Sequence, residues 1–282
     1  LPTISINSKT VMNGYVTDTR LSLDDSGGTL FDFGGVDTCG WVSRLTAGKH
    51  VSGAYMAQDF TPLQIIAELR KQIPAMANVS VSGLDGFGAQ EYFQLNVGEA
   101  VSTTLNDIAD RTNTIFYALP SGTIIFGKKS KGGAYHKIEV GKDTVKKITA
   151  QKAIQDVYDE VVYICENDED GQVERVSVPV MYVPKTNTVR YVRVMDEPRD
   201  VLAAVQREAN DITAGYLKVN IEYAGFCDRE KKVWEINKPV MLSDNTGTNV
   251  YSGNLVIESV EFSQTRNEGQ TTNLTLTLPA GY

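Results

Sequence analysis

The period of apolar and polar positions changes several times along the chain, and each change predicts an element. Ile4 and Ile6 alternate with Ser5 and Asn7 as in a short strand, and Asn13-Gly14 predicts a turn before Tyr15 and Val16. Leu30, Phe31 and Phe33 predict a second strand after the loop Asp24-Asp25-Ser26-Gly27-Gly28, closed by Gly34-Gly35. Near residue 60 the period lengthens. Thr61 can cap the first free amides of a helix, Pro62 sits where its missing N–H costs nothing, and Gln64 completes a capping box. Ile66, Leu69 and Ile73, with Leu63 and Ile65 beside them, give that helix one buried face, and Pro74 ends it. A second helix follows Gly98-Glu99, with Val101, Leu105, Ile108 and Thr112 on one face and Glu99 complementing the dipole. Residues 115–119 and 123–126 then flank Pro120-Ser121-Gly122, which predicts a hairpin.

Beyond a basic, glycine-rich linker at residues 128–133, the pattern is mostly that of strands. Residues 157–164 and 176–183 flank the acidic turn 167–171, and Pro179, which cannot donate to a ladder, predicts an edge strand. One long helix, at about residues 198–216, carries Val201, Val205, Ala209, Ile212 and Tyr216 on a single stripe. Leu217, Val219, Ile221 and Tyr223 follow it as an alternating strand. Further strands are expected around 233–236, 255–262 and 274–278. The predicted fold is α+β, mostly β: two β-barrel-like units with an inserted helix–helix–hairpin α/β module. Residues 1–55 form a first barrel, incomplete at its N-terminus, 56–130 the module, and 131–282 the second barrel with its helix.

Composition narrows the function classes. Hydrophobic residues make up 41% and charged residues 22%, as in a globular chain and unlike a disordered one. No apolar run reaches the ~18 residues of a membrane helix, and no N-terminal stretch reads as a signal peptide. A net charge of −8 argues against a nucleic-acid partner, since such surfaces need clustered Lys and Arg. Three scattered cysteines, Cys39, Cys165 and Cys227, predict reduced thiols and no zinc site. The chain starts at Leu1, so the reading expects its true beginning to lie upstream.

Candidate chemistry is sparse. The acidic run Asp168 to Asp170 fits a calcium loop poorly, because Ser177 stands where the bidentate carboxylate belongs. Gly83-Leu84-Asp85-Gly86-Phe87-Gly88 has the spacing GxxGxG, with no helix opening at its last glycine. Cys39 with His50 lacks a third, orienting group, and Cys39 is expected as a small buried residue. His50 and His136 are too few for a three-ligand metal site, and Asp24-Asp25 and Asp228-Glu230 are expected to face solvent. Asn78-Val79-Ser80 and Asn273-Leu274-Thr275 match the glycosylation triplet, which means little without secretion. The sequence therefore predicts no catalytic, cofactor-binding or metal-binding residues.

The order of elements is more specific. Three stretches resemble the phage Mu-like contractile tail baseplate hub proteins (the late control gene D or 43 kDa tail protein family). The first runs from Gly14-Tyr15-Val16-Thr17-Asp18 to Gly35-Val36-Asp37-Thr38-Cys39-Gly40-Trp41-Val42. The second joins residues 60–66 through Val97-Gly98-Glu99-Ala100-Val101 to Gly122-Thr123-Ile124-Ile125-Phe126. The third takes in Glu208-Ala209, the strand 217–223, Gly225, Trp234, the strand 256–262 and the closing segment 274–279. One departure is the lack of the family's additional N-terminal strands before the stretch matching Thr3 to Val16.

The resemblance implies a homotrimer whose paired barrels form a ring of six units, adapting a sixfold tail tube to a threefold spike. It implies the tail tube or distal tail proteins and the central spike as partners, with no sequence-specific nucleic acid binding and no membrane insertion. The implied location is the virion tail baseplate, assembled in the bacterial cytoplasm. Two alternatives stand beside it. One is the hub region of a type VI secretion or other contractile injection machine, which predicts a downstream spike domain. The other is a cell-wall hydrolase or carbohydrate-binding module, for which Tyr92-Phe93 and Tyr117 are the aromatics to inspect.

Overall fold

Chain contacts divide the protein into two units, Leu1–Lys128 and Lys129–Tyr282. The computed structural model describes residues 2–6, 8–23, 29–46, 55–57, 59–89, 93–95, 98–166, 173–194, 201–247, 251–265 and 269–281. The loop 24–28, His50, Tyr92, Val97, the turn 167–171 and the start of the long helix at 198–200 lie outside the described residues. The fold class is α+β, mostly β.

In the first unit, β1 (Thr3–Ile6), β2 (Lys9–Leu23) and β3 (Thr29–Asp37) form an antiparallel sheet in that order. The turn predicted at Asn13-Gly14 is not there, because β2 runs straight through it. Gly14 serves a close approach instead: a Cβ at this position would collide with the carbonyl of Val36. Gly34-Gly35 likewise does not close β3. Gly34 pairs with Asp18 and Gly35 with Val16 around a bulge, and a Cβ on Gly34 would strike the Asp18 carboxylate. The strand leads into α1 (Thr38–Val42), capped by Asp37, whose Oδ1 accepts from the Gly40 amide at 2.7 Å.

A short pair, β4 (Tyr55–Ala57) and β6 (Phe93–Leu95), accompanies the predicted module. Helix α2 (Pro62–Gln72) begins on the capping box: Thr61 accepts from the Gln64 amide and Gln64 accepts from the Thr61 amide. It buries Ile65, Ile66 and Leu69, while α3 (Val101–Arg111) buries Val101, Leu105 and Ile108. The hairpin β7 (Ile115–Ala118) and β8 (Ile124–Gly127) contributes Ile124 and Phe126 to the same core. The two-residue strand β5 (Val81–Ser82) runs parallel to β8. Gly83, at φ +84°, follows it where a Cβ would collide with the Phe126 carbonyl.

The second unit is built around a six-stranded sheet. Its order is β10 (Val145–Lys152), β14 (Leu217–Ala224), β17 (Gly269–Thr277), β16 (Gly253–Thr265), β15 (Pro239–Asp244) and β9 (His136–Val140). The ladders are antiparallel except β15·β9, so β9 and β10 point the same way at opposite edges. Only residues 141–144 join them. A flat sheet would place these edges about 24 Å apart at ~4.8 Å per strand, and side-by-side parallel strands need a crossover of about a dozen residues. The sheet therefore curls until β10 continues β9 past a bend at Gly141, φ +92°. Both neighbours hold the bend: Asn245 donates to the Val140 carbonyl at 3.2 Å and Ala224 to that of Thr144 at 2.9 Å. Leu217, Val219, Ile221, Leu255, Ile257, Leu274 and Leu276 fill the interior.

A smaller sheet, β12 (Val173–Pro179), β11 (Glu160–Glu166) and β13 (Val189–Val194), carries α4 (Val201–Tyr216) through Val161, Val178, Val205 and Ala209. β12 is an edge strand, as Pro179 predicts, and it stops there rather than reaching residue 183. Residues 180–188 cross the end of β11 to reach β13. Asp159 clamps that crossing, accepting from the Thr186 amide at 2.6 Å and the Asn187 amide at 3.0 Å. No strand covers 233–236: Val233 makes one bridge, to Cys227, and the strand nearby, β15, is one that the pattern does not predict.

Candidate functional site

The described residues bring one ionisable pair together in deep burial, and it lies in the second unit. His136 opens β9 with its side chain facing inward, because His136, Ile138 and Val140 share the inner face of that strand. Its Nδ1 lies 2.7 Å from Asp228 Oδ2, with side-chain exposures of 0% and 3%. Asp228 sits in the turn between β14 and β15, where its Oδ1 also accepts from the Lys232 amide at 2.8 Å. Asp228 is thus no solvent-facing decoration: both oxygens are used inside the protein. Glu230, in contrast, pairs with Lys232 at 57% exposure.

An ionised Asp228 accepts from the Nδ1–H tautomer and repels a lone pair at that atom, so Nδ1 carries the proton. The ring packs edge-on to Tyr135 at 4.8 Å and beside Trp234 at 4.6 Å. His136 Nε2 and Trp234 Nε1 have no hydrogen-bond partner among the described residues. Burial holds the His136 pKa below its ordinary value, and the Asp228 hydrogen bond opposes this without winning. A histidine–carboxylate pair can serve as an acid–base couple when its outer nitrogen meets a substrate. Here Nε2 is buried without a partner among the described residues, and the ring packs on Tyr135 and Trp234.

The other sequence candidates do not converge. Cys39 lies on α1 against the core of the first unit, and burial first, Asp37 second, push its thiol up to about 12, far from a nucleophilic thiolate. Its suggested partner, His50, is outside the described residues, as is the acidic turn. Gly88 and Ala89 are not helical, and residues 90–92 lie outside the described residues. Among the described residues no group of three or more His, Cys, Asp or Glu could hold a metal. No helix there is long and apolar enough to cross a membrane. A cleft of about 370 Å³ in the second unit is lined by Lys131, Lys152, Tyr182, Tyr216 and Tyr251 with Asn254.

β13 pairs only with β11 among the described residues and presents Tyr191 at 59% exposure. β10 pairs only with β14 among the described residues, and Lys147 and Lys152 lie along it, charges of the kind that guard an edge against unplanned strand pairing.

The fold is one shared with phage and prophage tail proteins. The tail protein from Neisseria meningitidis MC58 is 18% identical, with a TM-score of 0.69 over 98% of this chain and 82% of that one. The 43 kDa tail protein of prophage MuSo2 from Shewanella oneidensis is 18% identical, with a TM-score of 0.72 over 98% and 81%. The E. coli c3393 protein, a type VI secretion component described as structurally similar to the T4 tail proteins gp27 and gp5, is 9% identical. Its TM-score is 0.58 over 98% of this chain and 63% of that chain. No protein-family model matches the chain. No curated protein matches it either.

Proposed function

We propose that this chain is a non-enzymatic structural component of a contractile phage or prophage tail: the baseplate hub, acting as a homotrimeric ring. The observation that carries the reading is the likeness of fold, over 98% of the chain, to the Neisseria and Shewanella tail proteins. The order of motifs in the sequence points the same way independently. Physically, a ring of three copies can use the outer sides of β13 and β10, which have no strand partner among the described residues. In this reading one side of the ring meets the tail tube or distal tail proteins and the other the central spike. The chain then resides in the virion baseplate after assembly in the bacterial cytoplasm, with no membrane insertion and no sequence-specific nucleic acid binding.

The test is to purify tails from a producing host and quantify the chain against the tube protein. Three copies per tail, located by antibody at the spike end, are expected; labelling along the whole tube contradicts the hub role. A second reading, the hub region of a type VI or related injection machine, draws on the likeness to the E. coli c3393 protein. Copurification with a secretion spike from cells that make no tails distinguishes it.

A further inference from the structure

The loop between β14 and β15, residues 225–238, is attached to the barrel in two different ways. Its ends are held by hydrogen bonds that do not titrate. Gly225 donates to the Gln270 carbonyl at 2.9 Å, Thr272 Oγ1 donates to the Gly225 carbonyl at 2.7 Å, and Asn237 donates to the Ile257 carbonyl at 2.8 Å. Its middle is held by side chains gathered on His136: Asp228 on Nδ1, Trp234 beside the ring, and Lys232 Nζ donating to the Tyr135 carbonyl at 3.0 Å. The loop is therefore anchored at both ends, and between them it is fastened by the His136 cluster and by Arg229, which pairs with Asp143 at 2.6 Å and Glu139 at 3.7 Å.

We propose that the His136–Asp228 pair is an acid-sensitive latch, which holds the middle of this loop against the barrel and releases it when His136 takes a second proton. The geometry gives the direction. In the closed loop a second proton must go onto Nε2, which is buried and has no acceptor among the described residues. When the loop opens, water reaches that atom and the imidazolium is solvated. The charged groups around the ring do not reverse this preference. Asp228 and Glu235 favour the cation and Lys232 opposes it, while Glu230 is engaged by Lys232; from β14 the uncharged Tyr223 packs on Trp234. Burial outweighs their sum and holds the closed-state pKa down. The open state accordingly binds the proton first, so closure is at full strength above the ordinary histidine value of ~6.5 and weakens as pH falls below it. One proton allows an opening constant that rises by up to ~tenfold per pH unit.

The chain has two histidines, so a His50→Ala variant of the full chain leaves His136 alone in long-range ¹H–¹⁵N spectra. The expected result is a neutral ring with the proton on Nδ1, still neutral at pH 6. Between pH 6.5 and 5, amide protection factors over residues 228–234 should fall by up to ~tenfold per unit while those of β14 and β17 hold. A His136→Gln variant should lose that pH dependence. The proposal is overturned by a ring protonated on Nε2, by a titration midpoint at or above the ordinary value, by protection that does not change with pH, or by simultaneous loss across all strands. It does not depend on the tail reading, since none of these outcomes involves assembly.

Discussion

At the scale of single residues, backbone approach and side-chain burial decide roles that composition leaves blank. Gly83 combines φ +84° with a Phe126 carbonyl that would collide with any Cβ. Gly83→Ala should therefore cost the first unit roughly 1–3 kcal/mol, read as a lower denaturant midpoint at unchanged slope. Asp159 is a different case. Its carboxyl is held below the usual range first by the Thr186 amide, then by the Thr186 hydroxyl and the Asn187 amide. A depressed folded value means that this stability is complete above the ordinary aspartate pKa and is lost as pH falls through the folded one. Asp159→Asn should lower the melting temperature at pH 7 yet leave it close to wild type once acid has protonated the carboxyl. Equal losses at both ends of the pH range would show that the clamp acts through something other than charge. His136 and Asp228 were beyond sequence reasoning for a simple reason: 92 positions separate them, and contact across the fold has no local signature. The alternation of His136, Ile138 and Val140 with Lys137 and Glu139 was the signal available for the buried histidine.

At the scale of elements, what was legible depended on how many turns or pleats repeated the pattern. Helices α2 and α3 and strand β14 each show their buried face in sequence, and α2 also announces its start at Thr61. Thr61→Ala removes one half of the capping box and should cost about 1 kcal/mol. Leu105→Ala, in the fully buried face of α3, should cost about 2–5 kcal/mol; urea unfolding of the two variants tests whether packing outranks capping here. Strands β10 and β13 were hidden because lysines and arginines interrupt them, as edges require. β15 begins at Pro239 and repeats its alternation too briefly to stand out. Asn13-Gly14 and Gly34-Gly35 misled for the opposite reason. Glycine supplies both turns and close strand contacts, and sequence alone does not separate the two uses.

At the scale of the molecule, the barrel of the second unit explains why pairing ends where it does. β9 and β10 form the two edges of the sheet and are joined by the short turn at residues 141–144, so the sheet curls to bring its edges together. Among the described residues, the outer sides of β10 and β13 are two of the sheet edges without a strand partner, and they are edges that a ring would use. The hub reading stands on that and on the likeness of fold, and the number of chains in the particle tests it most directly. Multi-angle light scattering on the full chain at tens of micromolar should give a mass near 93 kDa, three times the 30.9 kDa of one chain. A single species at 30.9 kDa, unchanged by concentration, contradicts the trimeric hub.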